Sequence, residues 1–184
     1  MKELSLNILD ITENSTKAKA TLVEISIVEA EDILTISISD NGVGMSQETL
    51  LSVADPFYTT RTTRKVGMGI PLFRFAAEQT GGHLDITSVD INDDSVNHGT
   101  TVKATFIKKH IDFTPLGDII STITTLIQGH PSTDFVFVHK TELGHVKLDT
   151  RELRAVLEDI PLDNFEVLLW IKGNLEEQYG EINK

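Results

Sequence analysis

The sequence contains no cysteine, which excludes disulfides, zinc–thiolate centres and thiol catalysis. It is poor in aromatic residues (6%) and has a single tryptophan, Trp170. It has no apolar run near the roughly 20 residues needed to cross a bilayer. The opening residues Met1-Lys2-Glu3-Leu4 do not make a basic stretch followed by an apolar one, so no secretory leader is expected and the expected location is cytoplasmic. Positive charge is also scarce. Sixteen Lys and Arg face 28 Asp and Glu, for a formal net charge of -12. Such a surface repels nucleic-acid phosphates and anionic lipid, so neither is expected as a partner. A local pocket can still hold an anion through backbone N–H groups and a metal. The 40% hydrophobic and 24% charged content over 184 residues suits a folded protein of one domain, or one domain with an appendage.

Hydrophobic spacing predicts a helix over residues 3–19, where Leu4, Ile8 and Ile11 recur along one face. Strands are predicted over 21–28 and 33–39, the second alternating strictly, with residues 29–32 as their turn. Ser46 is a natural N-cap for a short helix to Val53, and Asp55-Pro56 stops it. Residues 59–66 are polar and aperiodic, residues 67–80 read as a helix, and Gly81-Gly82 ends it. Strands follow over 83–89 and 100–107, joined by an acidic loop. The pattern predicts an α+β fold: two layers, a mixed sheet with helices on one face. A boundary is expected near residues 110–115, dividing the chain into 1–109 and a smaller α/β extension, 110–184. The extension reads as a helix (116–127), two short strands (135–138, 145–148) and two helices (151–158, 165–179).

Four segments carry candidate chemistry. Asp10, Asn14 and Lys17 share a face of the first helix. A carboxylate, an amide oxygen and an ammonium in one row can orient a water, ligate a hard cation and meet a phosphate. Asp40-Asn41-Gly42-Val43-Gly44-Met45 ends a strand and precedes a helix. Its carboxylate can accept from an exocyclic amine, and its glycines let a ligand approach the backbone. Gly67-Met68-Gly69-Ile70 opens a helix, where free N–H groups and the positive dipole end favour phosphate. It is neither a dinucleotide fingerprint nor a P-loop. His98-Gly99-Thr100-Thr101 enters the last strand of this part, with a hydroxyl able to reach a base edge through water. Each also has a bland reading: a solvated helix face, an Asn-Gly turn, a hinge and an ordinary turn.

Taken together and in this order, the segments resemble the GHKL superfamily of gyrase, heat-shock chaperones, histidine kinases and mismatch-repair ATPases, which has the Bergerat ATP-binding fold. Asp55-Pro56-Phe57-Tyr58-Thr59-Thr60 resembles the Phe-containing box that leads into the nucleotide lid of histidine kinases. The resemblance covers a little over half the chain and implies ATP and magnesium as cofactors. It makes Asn14 the metal ligand, Lys17 a phosphate contact and Asp40 the reader of adenine. It lines the base pocket with Gly42, Gly44 and Met45. Residues 59–66, beginning with Thr59, become the lid, and Gly67, Met68, Gly69 and Ile70 meet the phosphates. Thr100 shares a water with adenine. Asp10 stands where many members have a Glu that orients the attacking water, one methylene longer. Pro71 replaces the family's usual non-proline residue, at a helix position where proline costs little.

Only nine residues precede Asp10, and the six histidines all follow it, so a phospho-accepting hairpin before the first helix is not expected. The build is similar to standalone members such as the anti-sigma-factor serine kinases. A weaker likeness is to small ATP-binding proteins found beside iron hydrogenase subunits. The expected function is a Mg-ATP-dependent regulatory kinase or slow ATPase acting on a protein acceptor. The alternative is an ATP-gated module that docks a protein partner without transfer.

Overall fold

Leu4, Ile8, Ile11 and Ser15 return to the same side of a helix every three or four residues, and all four are buried. That stripe seats the first helix, α1 (Leu4–Lys17), on the sheet. The computed structural model describes residues 3–54 and 69–182. Helix α1 ends with Lys19 at φ 62°. The N–H of Lys19 bonds the Thr16 carbonyl at 3.0 Å and that of Ala20 the Ser15 carbonyl at 3.1 Å, the pairing of a Schellman cap.

Two strands, β1 (Leu22–Ala30) and β2 (Ile33–Asp40), form an antiparallel hairpin with Ala30 opposite Ile33. Alternation sends Val23, Ile25, Ile27, Leu34, Ile36 and Ile38 to one buried face. A short helix, α2 (Gln47–Ala54), and a second, α3 (Gly69–Gln79), precede β3 (His83–Val89) and β4 (Gly99–Ile107). The rest is α4 (Ile119–Gly129), β5 (Asp134–Thr141), β6 (Gly144–Asp149), α5 (Thr150–Leu157) and α6 (Phe165–Ile182). The start of α4 falls three residues later than expected. Gly117 takes φ 79°, and the Asp118 carboxylate caps the helix by accepting from the Ser121 N–H at 2.9 Å.

The six strands make one sheet in the order β3-β4-β2-β1-β5-β6. Every pairing is antiparallel except β1 with β5. Helix α3 packs over β3 and β4 and α6 over β6, with α1 and α4 between them. The architecture is the expected α+β one: a mixed sheet under a layer of helices. The boundary expected near residue 110 does not divide that sheet. Strand β5 lies beside β1, and one hydrophobic core runs from Phe73 and Phe106 to Ile123, Phe137 and Leu175. The segment before α4 also completes α1. The Leu4 and Ser5 N–H groups, which an isolated helix leaves without partners, bond the carbonyls of Pro115 and Leu116 at 2.9 and 2.8 Å.

At the far end of the inner face sits a polar chain. His139, 3% exposed, lies 3.1 Å by Nε2 from Glu29 Oε1 and 2.7 Å by Nδ1 from the Tyr179 hydroxyl. A carboxylate only accepts, so Nε2 carries the proton and the tyrosine donates to Nδ1. Lys108 Nζ reaches Glu29 Oε2 at 3.0 Å. Burial holds the imidazole below its ordinary range despite the neighbouring carboxylate. Burial opposes the charge on Glu29, but Lys108 and His139 outweigh it and bring that carboxyl below its usual value. Burial, followed by the Glu29 charge, pushes the Tyr179 phenol up. Strand β6 closes its side of the sheet against α6. The Gln178 side-chain amide accepts from the Lys147 N–H at 2.9 Å and donates to its carbonyl at 3.0 Å. Among the described residues, no helix is long and apolar enough to cross a membrane.

A candidate nucleotide site at the end of the first hairpin

Where β2 ends, the last turns of α1, the 42–45 loop and the start of β4 surround a cavity of about 210 Å³. Helix α1 and the Ala18 that caps it contribute Ile11, Asn14, Ser15 and Ala18; β2 contributes Ile38 and Asp40; β4 contributes Thr100 and Val102. Gly44 and Met45 form another wall, and Val53 of α2 and Ile70 of α3 complete it. The lining is mainly apolar, with a few polar groups that converge on it.

Asp40 anchors the floor. It pairs with Thr100 across β2 and β4. Its Oδ2 accepts from Ser15 Oγ at 2.6 Å and its Oδ1 from the Gly42 N–H at 2.9 Å. Both oxygens are thereby held in place, with lone pairs left over for a donor. The following loop is tied down from several sides. The Val43 N–H bonds the Ala18 carbonyl and the Ile91 N–H bonds the Val43 carbonyl, each at 2.9 Å. His98 Nδ1 lies 2.6 Å from the Gly42 carbonyl and must carry a proton to donate there. Gly44 takes φ 70° and packs on β3 so closely that a Cβ would fall 1.8 Å from the Val89 carbonyl oxygen. No other residue type fits that position. Asn41 turns outward, where its Oδ1 accepts from the Thr21 and Leu22 N–H groups. That explains the Asn of Asp40-Asn41-Gly42 as a hairpin brace.

Of the residues expected at the site, Asn14, Asp40, Gly44, Met45, Ile70 and Thr100 line this one cavity, and Gly42 joins it through Asp40. Gly69 starts α3 against α1, where a Cβ would come 3.0 Å from the Asp10 Cβ. A glycine expected to meet phosphate is therefore seated on the residue expected to orient water. Asp10 is exposed and is absent from the cavity lining. Lys17 is exposed on the last turn of α1. Thr59, Gly67, Met68 and the expected lid lie outside the described residues.

Two polar residues of the site were not singled out by sequence reading. Ser15 continues the buried stripe of α1, and a serine on that side is itself a signal. Ser88 follows Leu84 and Ile86 on the inward register of β3, where its hydroxyl meets Met45, Gly99 and Thr100. Among the described residues no group of three or more His, Asp or Glu is placed to hold a metal. Asn14 lines the cavity. One amide oxygen fits a magnesium ion that keeps nucleotide phosphates and waters as its other ligands.

The sequence profile of the family described as "Histidine kinase-, DNA gyrase B-, and HSP90-like ATPase" matches residues 1–110. The chain belongs to this family. Among its relatives, sporulation kinase C of Bacillus subtilis (strain 168) is 32% identical over 90 residues, 48% of this chain and 20% of that protein. The sensor histidine kinase YxdK of the same organism is 27% identical over 115 residues, 59% of this chain and 34% of that one. The chain thus spans about a fifth to a third of the length of these two curated relatives. Among solved structures, the Aquifex aeolicus MutL ATPase domain complexed with ADP superposes with a TM-score of 0.56 at 16% identity. It covers 86% of this chain and 70% of that one. The N-terminal domain of a DNA repair protein superposes at 0.55 and 20% identity, covering 81% and 52%. These two likenesses are of fold. The first takes in more of this ATPase-family chain than residues 1–110, so the shared architecture reaches into the extension.

Proposed function

We propose that this chain binds ATP with magnesium in the cavity beside Asp40 and uses it as a regulatory protein kinase or slow ATPase in the cytoplasm. The observation that carries the reading is the Asp40 carboxylate. It is fixed from both sides by Ser15 and Gly42 at the floor of a largely apolar cavity. A planar base with an exocyclic amine fits such a floor: the apolar walls take its faces and the carboxylate takes its N–H. Asn14 supplies an amide oxygen to the metal, which when bound would neutralise phosphate charge. Lys17, one turn on, answers a phosphate oxygen. The backbone at Gly69 and Ile70 adds N–H donors at the start of α3. Phosphoryl transfer asks the protein mainly for positioning and charge stabilisation. In this reading Asp10 orients the attacking hydroxyl or water.

The relatives named sensor kinases favour the kinase branch, with a protein acceptor supplied by another chain or segment. A second reading, an ATP-gated docking module without transfer, is favoured by one observation: Asp10 is exposed and outside the cavity lining. Calorimetry with ATP and magnesium tests binding. Release of ADP, with mass spectrometry of acceptors from a lysate, separates the two readings. Tight binding with neither ADP release nor a labelled acceptor defeats the kinase and ATPase reading, and absence of binding defeats both.

A further inference from the structure

The hydroxyl of Ser88 makes three contacts, and one arrangement of protons satisfies all of them. Ser88 Oγ lies 3.0 Å from the Gly99 carbonyl, an oxygen that can only accept, so the serine proton is directed there. The Met45 N–H donates to Ser88 Oγ at 2.8 Å and takes one of its two lone pairs. Thr100 Oγ1 stands 2.9 Å away, and only the second lone pair remains for it. Thr100 therefore donates to Ser88 and turns lone pairs alone toward the cavity it lines. The same polarity holds across the floor. Ser15 spends its proton on Asp40, and the Asp40 carboxylate only accepts. Asp40, Ser15 and Thr100 thus present oxygen acceptors and no donor.

We infer that Ser88 is a specificity-determining positioning residue: by fixing the direction of the Thr100 hydroxyl, it tunes the cavity for a purine with a 6-amino group and against one with a 6-oxo group. The inference rests on the nucleotide reading above. An amino group donates into this acceptor array, directly or through a water whose protons the array holds. An oxo group meets lone pairs. A site built to pair a polar group discriminates strongly against the analogue with reversed polarity. Without Ser88, the Thr100 hydroxyl rotates and donates to an oxo group as readily as it accepts from an amino group.

The test is calorimetry on the whole chain with adenosine diphosphate and inosine diphosphate, with thermal unfolding of every variant alongside. The wild type is expected to prefer the adenosine nucleotide. Ser88→Ala should narrow that preference by about tenfold, equivalent to roughly 1.4 kcal/mol, and Ser88→Thr should restore it. In a Thr100→Val background, Ser88→Ala should leave the ratio unchanged, because it acts through Thr100. Equal weakening of both nucleotides by Ser88→Ala, or the same narrowing with and without Thr100, overturns the inference and leaves Ser88 a structural brace for Met45. Should Ser88→Ala not fold, Thr100→Val must narrow the ratio and Thr100→Ser must keep it, and an unchanged ratio in Thr100→Val overturns it. A wild type that binds both nucleotides equally defeats the selectivity while binding stands. A wild type that binds neither defeats the nucleotide reading itself.

Discussion

Ser15 and Asp40, 25 residues apart, meet at 2.6 Å between hydroxyl and carboxylate, and this contact ties the cavity-lining turn of α1 to the end of β2. Asp40→Asn keeps the size of the side chain but replaces a charged acceptor by an amide. Affinity for ATP is expected to fall by about 1–3 kcal/mol through loss of a charge-assisted hydrogen bond. Calorimetry reads this directly, and wild-type affinity in Asp40→Asn removes the carboxylate from base recognition.

Asn14→Ala is expected to abolish the tightening of ATP by magnesium while leaving some metal-free binding. Titrations with magnesium and with a chelator separate the two. Equal enhancement in both proteins means that the ion finds its protein ligand elsewhere.

A chain ending at Lys109 is expected not to fold on its own. It lacks β5, which pairs along seven residues of β1, and the carbonyls of Pro115 and Leu116 that satisfy the start of α1. It also lacks Ile123, Phe135 and Phe137, each worth roughly 1.5–3 kcal/mol of apolar burial. Circular dichroism and cooperative unfolding decide the matter. A truncated chain with a sharp transition and full ATP affinity would make the extension an accessory.

Stability should decline on acidification below about pH 6.5. His139 has its pKa depressed in the fold, so as pH falls the unfolded chain takes up its proton first. Glu29 is depressed as well, so its contribution is full above the unfolded carboxyl value and is lost as pH falls through the folded one. Both favour the unfolded state in acid. His139→Gln can still donate to Glu29 and accept from Tyr179, and does not titrate. It should flatten the dependence of the urea midpoint on pH between 7 and 5. A slope identical to wild type would assign the acid sensitivity to other groups.

Thr12 is fully buried, and its hydroxyl has no partner among the described residues. Thr12→Val keeps the shape and removes that oxygen, and is expected to stabilise the fold by about 1 kcal/mol. Urea unfolding measures it. A destabilised variant would reveal a hydrogen bond, for example to a buried water.

The local code was plain in the sequence. Strict alternation marks β2, apolar residues among polar ones mark β1, the 4-8-11 spacing marks α1, and Asp40 to Met45 stands out through its place in the order of the four segments. The pairing of β5 with β1 was not legible. It is parallel, joins residues more than a hundred positions apart, and leaves no turn between the strands to announce it. That one pairing makes the segment after residue 110 part of the sheet. Ser15 and Ser88 were missed for a related reason: a serine is informative only once the partner brought to it by the fold is known.

The Gln178 amide beside Lys147 sits where the peptide group of a seventh strand would sit, offering one donor and one acceptor in the same sense. A second molecule, or an unfolded neighbour, arriving at β6 finds that pair of backbone groups already spoken for by a side chain that carries no further edge of its own. On that side the sheet terminates rather than propagates. The contact blunts the β6 edge at Lys147 from within the same chain.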